Sequence, residues 1–393
     1  MLLRSINNLA LKNQRVLLRL DLNVPLKNGQ VPKNGQERIR RALPTIKFLL
    51  NKKASVIIVA HLGRPASQLG GPEGRVVKKY SLRPVALALQ KFLGRKIIFW
   101  PDNFEKYFEA SKKLKPGQIV LLENIRFYAG EQKGDKKFAQ KLSGLADIYV
   151  NDAFGNIHRP DASMLAVTYY LPSYAGFLLQ DEVKNLSTVL KSRQGLAFVL
   201  GGAKISSKIN LLKKFNKIAD HLLIGGAMAN TFLSSQNYEV GRSVIDKDYI
   251  LTAKKLVSPK MLLPLDVVVA SSLMANISQN VPVDKVPKNA YILDLGPKTI
   301  KYYLQYLKKA KLIVWNGPLG YFENKLFVKG SKDLLTAILK TKAKTIIGGG
   351  ETVELLKKLH LEKKVTFVST GGGAMLEFLE GQKLPALERL KIK

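Results

Sequence analysis

The stretch KTIIGGGETVELLKKL, residues 344–359, decides the fold. Thr345, Ile346 and Ile347 form a short apolar run, and Gly348, Gly349 and Gly350 follow it. Glu351 and Thr352 then open a pattern that places Val353, Leu355, Leu356 and Leu359 on one apolar side. This order predicts a strand, a glycine turn and the start of a helix. A helix start presents unpaired backbone N–H groups and the positive end of the helix dipole, and glycine lets an anion approach them closely. The turn is therefore a candidate phosphate cradle, with Glu351 as a candidate metal ligand and Thr352 as a hydroxyl donor. An ordinary tight strand-to-helix turn has the same composition. The pattern, however, recurs: VLGGAK (199–204), LIGGAM (223–228), WNGPLG (315–320) and VSTGGGAM (368–375) also set glycines just after apolar runs. Several such turns at one end of a sheet would line a nucleotide crevice.

The chain has 393 residues, 46% of them hydrophobic, enough for two domains of ordinary size. It has no cysteine, which excludes disulfides, thiolate metal sites and cysteine nucleophiles. The beginning, MLLRSINNLALKNQRV, lacks the build of a signal peptide, and no apolar run approaches the roughly 20 residues of a membrane span. A soluble, cytoplasmic protein is expected. The 64 Lys and Arg against 29 Asp and Glu give a net charge of +35. Nucleic-acid binding is one reading of that excess. The basic residues are spread along the chain, however, and no RNA-binding signature accompanies them, so a solvated basic surface with non-specific polyanion binding at low salt is the other.

Short apolar runs alternate with helical patterns throughout. Strands are expected at 15–20, 55–60, 96–100, 118–122 and 147–150, and again at 197–200, 221–224, 262–270, 291–294, 312–315, 344–347 and 365–369. Helices are expected at 38–51 and 82–93, and a long one at 171–191, with Pro172 and Gly176 as a hinge. The alternation implies an α/β protein with parallel sheets covered on both faces, whose ligands bind at the carboxyl ends of the strands.

The residues after each run are therefore the ones to read. Asp21 and Asn23 lie two apart, pointing one way in extended chain; taken alone they read rather as turn formers. Arg38 opens a helix. His61-Leu62-Gly63-Arg64-Pro65 suits a phosphate or carboxylate, and the Gly-rich, basic loop 66–80 after it is expected to be mobile. Arg126 and Arg159 follow two further runs. Basic groups placed after successive strands suggest a bowl for a small, multiply anionic ligand, and the planar fork of arginine grips phosphate bidentately. In the second half, Lys204 and Lys208 lie four apart, which predicts a shared helix face suited to a polyphosphate. No Walker loop, G-x-G-x-x-G or protein-kinase set is present. Asp294-Leu295-Gly296-Pro297 and Trp315-Asn316-Gly317-Pro318-Leu319-Gly320-Tyr321-Phe322-Glu323 read either as turn punctuation or as a nucleoside pocket, with Glu323 toward ribose hydroxyls.

Taken together, RLDLNVPL, ERIRRALPTI, AHLGRP, LLENIRF, YVNDAFG with the later HR, LGGAKISSK, GGAMANTF, DLGPKT, WNGPLGYFE, GGGET and STGGGAMLEFLEG resemble phosphoglycerate kinase, in the family's order and over essentially the whole chain. The resemblance implies two doubly wound parallel-sheet (Rossmann-like) domains joined by a helix and hinge. On this sequence, 1–171 would bind phosphoglycerate, with 380–393 packing back on it; 172–191 would be the interdomain helix, and 192–379 would bind nucleotide. It implies reversible phosphoryl transfer from 1,3-bisphosphoglycerate to Mg-ADP, giving 3-phosphoglycerate and ATP, by a monomer. Asp21, Asn23, Arg38, His61, Leu62, Gly63, Arg64, Arg126 and Arg159 would bind phosphoglycerate. Gly202, Lys208, Gly226, Gly296, Pro318, Tyr321, Glu323 and Gly349 to Thr352 would bind nucleotide, with Glu351 on Mg2+. Arg38, Lys204, Gly350 and Gly373 would serve the transfer itself.

The sequence departs from the family's usual pattern at several positions. Glu351 stands where aspartate is usual, Ser207 for an aspartate between the two lysines, Ala227 for a glycine, Tyr321 for a smaller aliphatic residue, and Asp161 for a histidine. Tyr321 would either stack on the base or narrow its pocket. None of these removes an anion-binding arginine or lysine, so activity is expected. The rival reading is a catalytically impaired, kinase-like protein whose basic surface binds nucleic acid.

Overall fold

The structure, a computed structural model, describes residues 1–65 and 77–392, so most of the loop expected to be mobile over 66–80 lies outside the described residues. The chain forms two compact units, Met1–Lys184 with Gln382–Lys393, and Asn185–Gly381.

The first unit is built on β1 (Arg15–Leu20), β2 (Ser55–Val59), β3 (Ile98–Trp100), β4 (Ile119–Leu122), β5 (Ile148–Asp152) and β6 (Ser173–Ala175). They form one parallel sheet in the order β3-β4-β2-β1-β5-β6. The near-continuous apolar runs arise because both faces are covered. Alternate residues serve opposite faces: Leu18, Leu20, Val56 and Ile58 pack in one core with Ile39, Ile46, Leu49 and Leu89, while Leu17, Ile57, Val59 and Val120 pack in another with Leu142 and Leu145. The helix Glu37–Asn51 turns Ile39, Ala42, Ile46 and Leu49 inward at three- and four-residue spacing and leaves its internal Pro44 exposed. There, water can serve the carbonyl that proline leaves unpaired. The helix Arg83–Leu93 ends at Gly94 in the left-handed region, φ 63°.

The second unit has a parallel sheet of β7 (Leu196–Leu200), β8 (His221–Ile224), β9 (Met261–Leu262), β13 (Leu312–Asn316), β14 (Lys344–Gly348) and β15 (Phe367–Val368), in the order β15-β14-β13-β7-β8-β9. Beside it lies an antiparallel sheet, β11-β10-β12, made of β10 (Asp266–Ala270), β11 (Gln279–Pro282) and β12 (Tyr291–Leu295). Strand order reverses between β13 and β7, so the crevice beyond their carboxyl ends is the expected ligand position. The opening stretch folds as read: β14 ends at Gly348, and a helix runs Gly350–Lys358.

Three expectations are corrected. The single strand expected over 262–270 is two strands in different sheets, β9 and β10, because Pro264 between them has no N–H for a ladder. β11 was unexpected, and the antiparallel sheet departs from an all-parallel reading. The helix expected over 171–191 begins only at Phe177 and runs Phe177–Lys191. The residues before it form β6 on the edge of β5, where Pro172 O accepts from Tyr149 N at 2.9 Å and Gly176 N donates to Asn151 O at 2.9 Å. Among the described residues, no helix is long and apolar enough to cross a membrane.

Candidate functional site

In the first unit, the loops after β1, β2, β4 and β5 bring the expected basic residues together. Arg38, at the start of its helix, donates from Nη1 to Asp21 Oδ2. Asp21 Oδ1 also accepts from Asn23 N at 3.3 Å, and Asn23 Oδ1 accepts from Gly63 N at 2.9 Å. The Asp21 and Asn23 pair thus orients the arginine and the loop Leu62-Gly63. Arg126 is buried; its Nη1 donates to Gly63 O at 2.9 Å, and its Nη2 lies 3.6 Å from Asp161 Oδ2. Arg126 Nε and Nη2 and Arg159 Nε are buried without a hydrogen-bond partner. Such donors are costly to leave unmade, and an anionic ligand would satisfy them. Burial and the neighbouring Arg159 lower the Arg126 pKa to about 10, which still leaves it charged at neutral pH.

His61 is buried beside these groups. Burial first, then the charges of Arg19, Arg126, Arg159 and Arg38, hold its pKa well below the usual imidazole range. Its Nδ1 faces Arg19 Nη2 at 3.2 Å. Arginine can only donate, so Nδ1 accepts and the neutral ring carries its proton on Nε2. Arg64 stands exposed at the rim.

Sequence reading missed the groups that hold this bowl in place. Arg19 is fully buried, donating from Nε to Ser163 Oγ at 2.9 Å and from Nη1 to Leu20 O at 2.5 Å. Glu131, also fully buried, accepts from Ser163 N at 2.8 Å and Oγ at 2.5 Å; burial raises its pKa. Asn124 accepts from Leu62 N and Arg126 N and donates to Leu62 O and Tyr80 O, fixing two loops at once. The one available signal was Arg19 itself, a charge inside the apolar run RVLLRL.

In the second unit, a cavity of about 270 Å3 is lined by Gly202, Gly226, Pro318, Tyr321, Glu323 and Glu351, six of the expected nucleotide residues, together with Ala227. Apolar side chains such as Val244 and Leu293 supply its walls. Gly296 does not line it; Gly296 packs against Asp266, whose carbonyl accepts its N–H at 3.0 Å. Asp294 does line it, accepting from Leu295 N at 2.9 Å and Gly330 N at 2.7 Å, and burial raises its pKa to about 7.

The ends of β7 and β13 meet beside this cavity. Gly201 N donates to Asn316 O at 3.0 Å and Gly202 N to Pro318 O at 2.9 Å. Lys208 is buried there, donating from Nζ to Gly201 O at 2.7 Å and Asn316 O at 3.2 Å. Burial lowers its pKa to about 8, against the opposing pull of Glu351. The shared helix face expected for Lys204 and Lys208 is not observed. Lys204 lies exposed in the turn after β7, whereas Lys208 caps the helix Ile209–Ile218. Paired glycines in GGAKISSK leave the chain too irregular there for helical spacing to apply.

The helices Gly350–Lys358 and Gly373–Glu380 both begin behind glycine caps that supply no side-chain hydrogen bond. Their first-turn N–H groups are therefore left to an anion, except Ala374 N, which donates to Gly371 O at 3.0 Å. Gly349 has φ 92°, and a Cβ there would stand 3.1 Å from Asn316 Nδ2, so only glycine suits that turn. Thr352 is buried; its Oγ1 accepts from Gly317 N at 2.8 Å, which ties the two glycine turns together and leaves its hydroxyl proton to donate. Among the described residues, no three His, Asp or Glu gather as a metal cluster, and Glu351 stands exposed on the cavity wall.

A family model described as phosphoglycerate kinase matches residues 6–382. The phosphoglycerate kinase of Moorella thermoacetica is 43% identical over 398 residues, which span 99% of each chain. Among solved structures, phosphoglycerate kinase from Coxiella burnetii superposes with a TM-score of 0.87 at 40% identity, covering 99% of this chain and 98% of that one. Phosphoglycerate kinase from Pyrococcus horikoshii gives 0.85 at 30% identity, covering 98% of each.

Proposed function

The chain belongs to the phosphoglycerate kinase family, and on that premise we propose how its residues divide the work of the family's reaction. The protein is a phosphotransferase that passes a phosphoryl group reversibly between 1,3-bisphosphoglycerate and ADP, giving 3-phosphoglycerate and ATP. The alternative of a catalytically impaired relative finds no support.

Phosphoglycerate binds in the first unit. The observation that carries this assignment is the set of buried, unpartnered donors on Arg126 and Arg159, close enough to His61 to depress its pKa together with Arg38. Arg126 and Arg159 grip the substrate's anionic groups, His61 donates from Nε2, and Asp21 aims Arg38. Nucleotide binds in the second unit. Tyr321, Pro318 and Val244 face the base, Glu323 takes ribose hydroxyls, and Lys208 with the helix start at Gly350 takes phosphate oxygens.

Phosphoryl transfer needs positioning and neutralisation of charge spread over the equatorial oxygens more than covalent help. Arg38, Lys204 and the helix starts at Gly350 and Gly373 supply that neutralisation. The acceptor carboxylate is already ionised, so no general base is required. The two substrates must be brought into line and freed of water, which is the work of closure about the Phe177–Lys191 helix. Magnesium belongs to the nucleotide substrate. A single exposed carboxylate, Glu351, suits an ion held mainly by phosphate and water. When bound, that ion offsets phosphate charge.

Lys204→Ala tests the division of labour. Turnover is expected to vanish while 3-phosphoglycerate affinity stays within about twofold, because Lys204 is exposed in the second unit and holds nothing in the first. Wild-type turnover in this variant, or lost phosphoglycerate binding, overturns the assignment.

A further inference from the structure

The charge excess looks evenly spread along the chain, but in the second unit the fold gathers about half of it at one pole. All strands of the parallel sheet start at the edge opposite the nucleotide cavity. Lys311 N donates to Gly195 O, Lys344 N to Lys311 O, Asp220 N to Leu196 O and Leu222 N to Lys260 O, so the segments entering β13, β14, β7, β8 and β9 lie side by side. The entries to β13 and β14 read KKAK (308–311) and LKTKAK (339–344), Arg193 and Lys260 enter β7 and β9, and LEKK (361–364) leads into β15 beside β14. Together they carry ten Lys or Arg against two carboxylates, Asp220 and Glu362. Most of these cations are exposed.

Set in this basic edge is a second cavity of about 410 Å3, lined by His221, Tyr306, Lys260, Lys309 and Asp220. The rings of His221 and Tyr306 meet edge to face at 4.5 Å, and Tyr302 packs on Tyr306 at 5.4 Å. All three are only partly buried. His221 Nδ1 is buried and without a hydrogen-bond partner. The mechanism proposed above uses none of these groups.

We propose that this pole is a docking surface for single-stranded nucleic acid, separate from the nucleotide site. Lysines in a row follow a phosphodiester backbone, and partly open aromatic rings among them offer faces on which bases stack. An anionic membrane would meet the same charge but would also want exposed apolar side chains to insert. Among the described residues, the large exposed apolar side chains lie elsewhere, at Leu251, Met274 and Ile277 for example.

The test uses the full chain and a fluorescein-labelled oligo-dT of about 20 nucleotides, followed by anisotropy from 50 to 300 mM salt. Binding is expected to weaken with salt, with a slope of roughly 0.7 per neutralised phosphate. The combined variant Lys309→Gln, Lys311→Gln, Lys342→Gln, Lys344→Gln is expected to reduce that slope by up to about 3. Tyr306→Ala is expected to weaken binding about tenfold, and Tyr306→Phe to restore it. Saturating ATP and 3-phosphoglycerate are expected not to displace the oligonucleotide, and every variant is expected to retain kinase turnover. Unchanged binding in the lysine variant overturns the proposal. So does displacement by ATP, which would place the oligonucleotide in the nucleotide site, or binding to phosphatidylserine vesicles with none to the oligonucleotide. None of these results bears on whether the protein is a kinase, which the turnover assay reads separately.

Discussion

Replacing Lys208 with methionine should make the protein more stable and a poorer nucleotide binder. Lys208 carries its charge in a buried position, where burial lowers its pKa from 10.5 to about 8. At about 1.4 kcal/mol per pKa unit, the charged form is disfavoured in the native state by about 3 kcal/mol at neutral pH. This includes the opposing pull of Glu351, and the two carbonyl contacts to Gly201 O and Asn316 O offset part of what remains. The unfolded chain binds more protons than the native one between pH 8 and 10.5, so this group makes stability rise with pH across that window. Methionine fills a similar volume without a charge. Lys208→Met is therefore expected to gain up to about 3 kcal/mol in urea unfolding at pH 7, less the loss of a donor to Gly201 O and Asn316 O, and to lose the rise above pH 8. A charge-assisted contact to phosphate contributes about 1.5–3 kcal/mol, so ADP affinity should fall roughly 10- to 100-fold. In the wild type, ADP phosphate should raise the Lys208 pKa, so binding above pH 8 takes up a proton and weakens as pH rises. Calorimetry in two buffers of different ionisation enthalpy reads that proton directly. Unchanged ADP affinity, or no proton uptake at pH 8.5, refutes the role given to Lys208; a large loss of stability refutes the cost assigned to its burial.

Other consequences follow from particular contacts. Asp161→Asn takes from the buried Arg126 the larger of its two counter-charges, leaving Glu131, and should cost about 3 kcal/mol in urea unfolding. 3-Phosphoglycerate should then stabilise the variant more than the wild type, because the ligand supplies the missing negative charge; equal stability of the two free proteins would show the pair to be idle. Gly201→Ala sets a Cβ 2.0 Å from Pro318 O, so the ends of β7 and β13 must part. A loss of about 3 kcal/mol together with weaker ADP binding is expected, and wild-type unfolding and binding would contradict that reading of the switch point.

The stretch 344–359 was legible because every local preference agrees there: apolar run, glycine turn and amphipathic helix. The first five strands of the first unit were legible for the same reason, since strands buried between covering layers read as unbroken apolar runs. β6 and β11 were not. SYA and QNVP are short and mixed, and they become strands only by pairing with β5 and β10. The Lys204 and Lys208 spacing misled because it assumed a helix that the glycines postpone. In the site, the arginines were legible as residue types following strands, but the partners that hold them were not. Arg19, Asn124, Glu131 and Ser163 are distant in sequence and meet only when the sheet forms. The basic pole was invisible for a related reason: evenly scattered lysines become one surface only when parallel strands bring their starts to a common edge.

ATP-dependent phosphorylation of 3-phosphoglycerate in the presence of Mg2+, coupled to consumption of the acyl phosphate formed, tests the kinase assignment most directly. Turnover that needs both substrates, is lost in Lys204→Ala and persists in the quadruple lysine variant is the predicted result. Absence of turnover while both ligands still bind would contradict it.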